Sequence, residues 1–334
     1  MSVRTAVSFA VCHVSCPTQD LDGLGRLLKG VIPGGSSLNH LYRRWRYLRS
    51  VGVRYPTFLL RRAAFGHEPD RRDLSRFSGC GIEIGGPSHF FRGGGELPIY
   101  SIAQKMDNVN YSSKTFWEGT LEEGKHFRYS PNKAAGHQFI CEASDLSPIP
   151  DCSYDFVASC HTLEHCANPI KALNEWRRVL NNDGWIALVL PHRAGTFDHR
   201  RRVTEFEHLV NDYTNGVTED DKTHFAEILE RHDLDRDLAQ QSRKAFEKWI
   251  GENAANRGAH HHVFDPALAI RILDHVGFEV AAAEVVMPFH IFIVAQKSAK
   301  SGAEKEYARH QILEACCAAS PFKSDRQRRA QGLL

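Results

Sequence analysis

The chain has 334 residues, and its apolar (42%) and charged (25%) shares are ordinary for a globular protein of one large domain with additions or of two domains. Its formal net charge is only +2, but residues 1–78 hold 13 Lys and Arg against 5 Asp and Glu, so this part carries +8 and the remainder −6. No apolar run reaches the about 18 residues of a membrane span. Nine cysteines without a Cys-x-x-Cys pair indicate reduced thiols and a cytoplasmic protein.

The N-terminal part, residues 1–78, is predicted to be a basic extension that is partly helical. A helix over residues 36–50 has one apolar face through Leu38, Leu41, Tyr42, Trp45 and Leu48, with arginines around it. Such a helix either packs on the body of the protein or makes a peripheral contact with a membrane surface. Both alternatives stay open from the sequence.

The first three predicted strands end in residues that suit a ligand site. Residues 80–84 are a short apolar strand before a glycine pair, residues 99–106 form a second strand that ends at Asp107, and residues 137–141 form a third that ends at Glu142. The stretch 111–136 between the last two is polar and is predicted to be irregular.

A fourth strand, a helix and a fifth strand follow with clear boundaries. The strand over residues 154–159 leads into His161, and Asn168 and Pro169 suit the start of a helix that Gly184 ends. Residues 185–190 are apolar throughout, as expected of a buried parallel strand, and lead into His192.

The C-terminal half predicts an insertion and a hairpin. Residues 200–257 are charged and helical, a further helix begins at Pro266, residues 278–296 form an antiparallel strand pair, and residues 298–334 are a polar tail expected to fray. The predicted fold is an α/β, doubly wound, seven-stranded, mostly parallel sheet with a terminal antiparallel hairpin. The helical insertion and the basic N-terminal extension are additions to that core, which spans residues 79–297.

This series of marks resembles the class I S-adenosylmethionine (SAM)-dependent methyltransferases, and within them the type 11-like subgroup that methylates small molecules and sugars. The resemblance covers roughly residues 80–297. It rests on Glu83 to Gly86, Asp107, Glu142-Ala143, Leu146 to Asp151, Tyr154-Asp155, His161 to His165, and Arg177 to Leu180 with Gly184. Pro87 and His89 depart from the family's fuller glycine pattern. Because Pro87 offers no N–H, the departure argues against a nicotinamide-dependent oxidoreductase, which needs close backbone approach to a pyrophosphate.

The resemblance implies SAM as the cofactor and assigns roles to its site. Gly85 and Gly86 with Glu83 form the turn close to the ligand, and Asp107 accepts from the ribose hydroxyls. Glu142 and Ala143 contact the adenine, and His161 and Leu163 pass beneath the sulfonium and the methionyl group. The candidate cofactor-binding residues are therefore Glu83, Gly85, Gly86, Asp107, Glu142, Ala143, His161 and Leu163.

The predicted reaction is O-methylation of a small molecule or of a sugar or glycan hydroxyl, as in polysaccharide biosynthesis. A hydroxyl acceptor needs a base, and histidine suits that task near neutral pH. His192 and His161, at strand ends, are the candidate catalytic residues, with His199, His260 and His262 as secondary candidates. The insertion 200–257 is expected to cap the acceptor pocket.

Other interpretations remain beside this one. The chain could bind SAM without catalysis, as a regulatory or assembly protein of the same fold. Nucleic acid is not an expected partner, because no aromatic-plus-basic pattern continues into the core. No metal is predicted, since only His260 and His262 of the histidine triple could share a site and no nearby carboxylate spacing supports zinc. The sequence identifies neither the acceptor nor the oligomeric state.

Overall fold

The structure is a computed structural model, and it describes residues 73–237, 239–240, 242–298 and 303–333. The helix predicted over residues 36–50, and with it the membrane-surface alternative, lies outside the described residues. Among the helices that the structure describes, none has both the length and the apolar character needed to cross a bilayer.

The centre of the fold is a mixed sheet of eight strands in the order β5-β6-β2-β1-β7-β8-β10-β9. A separate two-stranded ribbon, β3 and β4, follows β2 in the chain. The strands are β1 (Cys80–Ile84), β2 (Lys105–Asn110), β3 (Lys114–Thr115), β4 (Gly119–Thr120), β5 (Gly124–Phe127), β6 (Gly136–Ile140), β7 (Tyr154–Cys160), β8 (Leu180–Pro191), β9 (Phe278–Val286) and β10 (His290–Lys297).

Five adjacent strands, β6, β2, β1, β7 and β8, are parallel, and β10 is antiparallel to both β8 and β9. The predicted α/β class is confirmed, but the predicted number of seven strands is wrong. An additional edge strand, β5, pairs antiparallel with β6 inside the stretch 111–136 that was predicted to be irregular. Because the five parallel strands run in one direction, their carboxyl ends meet at one edge of the sheet, where ligands bind in open α/β folds.

The second strand lies later in the chain than predicted. Residues Ile99–Ile102 form a single helical turn, α1, which follows Pro98 and buries Ile99 and Tyr100. The strand itself begins at Lys105 and ends at Asn110, so Asp107 is inside β2 and not at its end. Residues 99–102 thus form a turn in spite of their β-like composition, and Pro98, with φ −76° and ψ 55°, is the residue directly before it.

The helices of the core begin as their sequences predict. In α2 (Pro169–Val179) the Asn168 side chain accepts from the Lys171 N–H, and Trp176 is fully buried. Gly184 does not end this helix: β8 starts directly at Leu180 and includes the glycine. The later helices are α3 (Phe206–Thr214), α4 (Phe225–Arg231), α5 (Arg243–Gly251), α6 (Asn253–Asn256), α7 (Pro266–His275), α8 (Ala303–Ala319) and α9 (Lys323–Ala330).

The insertion has a small apolar core of its own, made of Ile228, Phe246, Ile250 and Ala259. This core is separate from the two large clusters that contain the sheet residues. Helices α4 and α5 bury these side chains against one another and against Ala259, whereas Leu209 of α3 packs into the large core.

The C-terminal segment is not the frayed tail that its polar sequence suggested. Helices α8 and α9 bury Cys316, Cys317 and Phe322. Asp325 of α9 is also buried, and its Oδ2 lies 2.9 Å from Nε2 of His192 at the end of β8. Burial alone would raise the pKa of Asp325, but the charge and hydrogen bond of His192 lower it overall. The pair fastens the C-terminal helices to the sheet.

We expect His192→Leu to lower the free energy of unfolding by about 3 kcal/mol, because it leaves the Asp325 carboxylate buried without its ring partner. Chemical unfolding followed by tryptophan fluorescence measures this loss. Lys323→Ala, at an exposed position of the same helix, is the matched control and should behave as wild type. A His192→Leu protein as stable as that control would contradict the structural role of the pair.

Candidate active site

A cavity of about 420 Å³ lies at the carboxyl edge of the parallel strands. Its volume is within the range of small-molecule sites, about 300–1,000 Å³. Its walls come from the ends of β1, β2, β6 and β7 and from the insertion. The lining residues are Ile84, Gly85, Pro87, Ser88, His89, Val109, Asn110, Tyr111, Phe116, Trp117, Glu118, Glu142, Ala143, Cys160, His161, Thr162, His165, Cys166, Glu219 and Arg257.

The turn after β1 is possible only with glycine at its first position. Gly85 has φ +85°, and a Cβ atom there would lie 2.1 Å from Thr162 Oγ1. Gly86 is outside the cavity lining, and its carbonyl accepts from Asn108 Nδ2 at 3.0 Å and Asn110 Nδ2 at 2.9 Å. Gly85 therefore lies at the cavity, and the Gly86 carbonyl holds the turn through its two amide contacts.

Glu83 does not line the cavity, contrary to the prediction for it. The carboxylate is fully buried and accepts from the Ser88 N–H at 3.0 Å and from the Tyr100 hydroxyl. Burial raises the pKa of Glu83 to about 7, and the hydrogen bonds from Ser88 and Tyr100 oppose this increase. Its role is to hold the turn of residues 85–88 in place.

Asp107 also lies away from the cavity, because β2 extends three residues beyond it. Its carboxylate is bound by the Lys105 ammonium (2.9 Å), the Tyr154 hydroxyl (2.9 Å) and the His137 N–H (2.7 Å). Asn110 takes the strand-end position and lines the cavity. The Asn110 Oδ1 atom is buried and has no hydrogen-bond partner, so it can accept from a ligand.

The end of β6 brings Glu142 and Ala143 to the cavity as predicted. Arg257, from the end of the insertion, reaches over to them, and its Nη2 lies 2.5 Å from Glu142 Oε1. The same guanidinium stands 5.4 Å from the centroid of the Tyr111 ring. On the side away from the cavity, the Ala143 carbonyl accepts from Trp176 Nε1 at 2.8 Å. Core packing by α2 thus fixes the wall of the cavity.

The segment after β7 places His161 in the cavity in a left-handed backbone conformation, with φ 55°. Its Nε2 lies 2.7 Å from His290 Nδ1, and its Nδ1 lies 3.3 Å from Glu164 Oε1. Glu164 is fully buried, and although burial raises its pKa, the hydrogen bond from His161 and the charges of nearby histidines lower it overall. Leu163, predicted to touch the cofactor, is instead part of the apolar core.

His165, which the sequence did not single out, is the other imidazole of this wall. Its Nδ1 lies 3.1 Å from the Ala259 carbonyl, and its Nε2 lies 3.8 Å from Glu164 Oε1, longer than a hydrogen bond. Burial, followed by the charge of His260, lowers the pKa of His165 to about 4. The ring is therefore neutral at physiological pH, and Nδ1 donates to the carbonyl while Nε2 keeps its lone pair.

His192 is not an active-site residue in this structure. It is buried at the end of β8 against Asp325 and Phe322, outside the residues that line the cavity. Of the secondary candidates, His199 Nε2 is paired with Asp233 at 2.8 Å, and His260 Nδ1 lies 2.5 Å from Asp198 Oδ2. A residue that follows a parallel strand is expected at the ligand site, but α9 covers the end of β8 and keeps His192 away from it.

A second cavity of about 330 Å³ adjoins the first and is formed largely by the insertion. Phe116 and His165 line both cavities, so these two side chains mark the boundary between them. The other lining residues are Phe197, Asp198, Ile228, His232, Asp237, Ala239, Gln240, Phe246, Trp249, Ile250, Gly258 and His260. Most of these residues belong to the insertion, so the insertion forms much of the wall of this cavity.

Several lining residues escaped the sequence analysis because they come from irregular segments. Tyr111, Phe116 and Trp117 follow β2, and their rings pack at 5.0–5.9 Å. One feature of the sequence could have identified them: three aromatic residues lie within seven positions of an otherwise polar stretch. Glu219 and Arg257 come from the insertion, where no pattern distinguishes them from surface charges.

The residues present fit SAM as a ligand. Three carboxylates (Glu118, Glu142 and Glu219) and one guanidinium (Arg257) line the first cavity, so its formal charge suits a ligand that bears a sulfonium and an ammonium. The unpartnered Asn110 Oδ1 can accept from a hydroxyl, and the aromatic rings offer faces to a base.

Comparison with known proteins agrees with this chemistry. Residues 116–188 match the family model described as "Methyltransferase domain". No curated protein matches the sequence significantly.

Among solved structures, a SAM-dependent methyltransferase from Mesorhizobium loti is 14% identical, with 68% of this chain and 96% of that one covered and a TM-score of 0.40. One from Methanosarcina mazei is 14% identical, with 66% and 93% covered and a TM-score of 0.37. One from Aquifex aeolicus is 12% identical, with 69% and 89% covered and a TM-score of 0.32. With TM-scores below 0.5, these likenesses carry no argument about function, so the family match carries the assignment. The chain therefore contains a methyltransferase domain, matched over residues 116–188, and its first cavity suits S-adenosylmethionine as the cofactor.

Proposed function

We propose that this protein is an O-methyltransferase that acts on a hydroxyl of a small molecule or of a terminal sugar. The first cavity holds the methyl donor and the second holds the acceptor. The observation that carries the proposal is the shared boundary: Phe116 and His165 line both cavities, so donor and acceptor would meet at these side chains. An in-line displacement needs the acceptor oxygen to be held directly behind the methyl group of the donor, with water excluded.

In the first cavity, SAM supplies a methyl group on a sulfonium, which is already activated toward nucleophiles. Asn110 Oδ1 would accept a hydrogen bond from the ribose, in place of the carboxylate of Asp107. Gly85 allows the backbone to come close to the ligand. Glu142 and Ala143 would bind the adenine, with Tyr111 as an aromatic wall and Arg257 fixing the Glu142 carboxylate.

We assign the general base to His165. Its Nδ1–H is bound by the Ala259 carbonyl, which leaves the Nε2 lone pair for the acceptor proton. The buried Glu164 carboxylate, 3.8 Å away, would stabilise the imidazolium that forms. His161 remains a second candidate, but His290 and Glu164 already engage both of its ring nitrogens. His161 therefore fits better as the group that orients Glu164.

The second cavity favours a small acceptor with an apolar face and several hydroxyls. Ile228, Phe246 and Trp249 supply apolar walls, and His232 and His260 supply polar edges. Sugar rings combine these two kinds of surface, and aromatic faces are common partners for them. A volume near 330 Å³ suits one small molecule or the end residue of a glycan better than a folded macromolecule.

The direct test is transfer of labelled methyl from SAM to a panel of hydroxyl, amine and carboxylate acceptors and to a cell extract, with identification of the labelled product. A labelled ether on a sugar or small alcohol supports the proposal. A labelled amine or nucleic acid would refute O-methylation. SAM binding without transfer to any acceptor would favour the alternative of a non-catalytic SAM-binding protein.

We expect His165→Gln to lower kcat by about 10²–10⁴-fold and to change the SAM dissociation constant far less, because glutamine keeps a polar side chain at the boundary of the two cavities but cannot act as the base. His126→Gln, at an exposed position of β5, is the control. His161→Gln should have a smaller effect on kcat. If His161→Gln were the slower enzyme of the two, the base would have to be reassigned.

The pH dependence of kcat/KM should follow the lowered pKa of His165. The ring is active in its neutral form, which predominates above a pKa of about 4, so the rate is level from neutral pH down to about pH 5 and falls below it. Initial rates in matched buffers measure the profile, and circular dichroism at each pH checks that the protein stays folded. A midpoint near 6.5 would contradict this environment for His165.

Different substitutions should weaken binding of the methyl donor and binding of the methyl acceptor. Asn110→Ala should weaken SAM binding about tenfold, because it removes the buried oxygen that accepts one hydrogen bond from the ligand, and it should leave the KM for the methyl acceptor unchanged. Trp249→Ala should raise the acceptor KM and leave SAM binding unchanged, because it lines only the second cavity. Titration calorimetry with SAM and steady-state kinetics give the two values. Equal effects of both variants on SAM binding would show that the two cavities are one site.

A further inference from the structure

A cluster of imidazoles and carboxylates lies where the insertion meets the core. His208, Asp212, His224 and His262 each offer one ligand atom, and these atoms all lie within 4.8 Å of one another. His208 and Asp212 face the same side of α3, His224 directly precedes α4, and His262 follows the insertion in the chain. None of the four is among the residues that line either cavity.

The spacing within this cluster is that of ligands around one small cation. His208 Nε2 lies 3.2 Å from His224 Nε2 and 3.3 Å from Asp212 Oδ2, and Asp212 Oδ2 lies 3.7 Å from His262 Nε2. In a tetrahedral zinc site with bonds of about 2.0–2.1 Å, neighbouring ligand atoms are about 3.3–3.4 Å apart. Three distances in the cluster are therefore close to the edges of such a tetrahedron.

The cluster also contains a buried polar atom that no hydrogen bond satisfies. Asp212 Oδ2 is buried without a hydrogen-bond partner in the structure. His262 Nε2, the ring nitrogen that lies 3.7 Å from it, is also 3.2 Å from the Ala167 carbonyl, so a bound cation would take the place of that contact. Buried polar atoms in folded proteins nearly always have a partner, so an unmet carboxylate oxygen among three imidazoles indicates a missing one. A cation would satisfy the carboxylate and the ring nitrogens together.

We propose that His208, Asp212, His224 and His262 bind one zinc ion. Imidazole and carboxylate ligands in a compact, four-membered set favour zinc over calcium or magnesium, which prefer oxygen ligands alone. No metal was predicted from the sequence, because no carboxylate close to His262 in the chain has the spacing of a zinc ligand. The fold supplies Asp212 from fifty positions earlier.

The ion would be structural and would fasten the insertion to the core. Asn168, the cap of α2, donates from Nδ2 to the Asp212 carbonyl at 3.0 Å, and the His262 N–H donates to the Glu164 carbonyl at 3.4 Å. Between Asp212 and His224 the chain carries Glu219 to the first cavity. The site thus holds both ends of a segment that lines the cavity.

A second set of possible ligands shares one residue with the first. Asp221, His224 and His261 also have ligand atoms within 4.8 Å of one another, and His261 Nδ1 lies 3.7 Å from Asp221 Oδ2. Because both sets use His224, variants at His208 and Asp221 distinguish them. The first set is favoured because it has four members and shorter distances.

The test measures metal content and stability together, on tag-free full-length protein stripped with a chelator and reloaded with Zn²⁺. We expect one equivalent of zinc per chain by mass spectrometry, and a higher melting temperature with the ion than without it. Co²⁺ in its place should give the intense visible bands of tetrahedral coordination. His208→Gln should weaken Zn²⁺ binding at least about 100-fold, and its position, 42% exposed, lets the variant fold.

His126→Gln and Asp221→Asn are the controls, and both should bind zinc as wild type does. Loss of zinc in Asp221→Asn with retention in His208→Gln would overturn the proposed ligand set. So would the absence of stoichiometric zinc and of cobalt bands in the wild type. If His208→Gln does not fold, three other results decide the proposal. They are the cobalt bands of the wild type, the loss of these bands when zinc is added, and zinc binding by Asp221→Asn.

Discussion

The buried carboxylate of Glu164 is the group on which the site depends. It is fully inaccessible, yet its pKa is lowered, because His161 and His165 lie within 3.8 Å of its Oε1 and outweigh the cost of burial. One anion therefore fixes two imidazoles at the end of β7. Its backbone carbonyl also accepts from the His262 N–H, so the same residue joins the cavity wall to the segment that closes the insertion.

The positions of most parallel strands along the chain, and one part of the site, could be predicted from the sequence. Gly85, Glu142, Ala143 and His161 line the cavity because glycine and strand-end positions are local properties that a pattern records. The prediction for Asp107 was wrong for a local reason as well: the predicted strand start is the helical turn α1, and β2 ends three residues beyond Asp107. This shift of three residues was enough to replace the carboxylate of Asp107 by the amide of Asn110 at the strand end.

Other errors came from tertiary contacts that no local pattern contains. His192 follows its strand as predicted, but α9 places Asp325 against it and removes it from solvent. The polar C-terminal sequence did not indicate that these helices pack on the fold. Its buried residues, such as Cys316, Cys317 and Phe322, stand among many charged ones. Arg257 and Glu219 reach the cavity only through the path of the insertion. Residues contributed from distant parts of the chain are thus the ones that sequence patterns miss.

The insertion forms a wall of the second cavity, and it is attached to the rest of the fold mainly by polar contacts. Its inner side packs Ile228, Phe246 and Ile250 into an apolar core that also forms a wall of the second cavity. Such a small core buries too little surface to hold the layer firmly by itself. The polar contacts at its edges, Arg257 with Glu142 and Asn168 with the Asp212 carbonyl, fix the layer to the sheet. Since Arg257 and Glu142 also line the first cavity, the ligand site and the attachment of the insertion share these two residues.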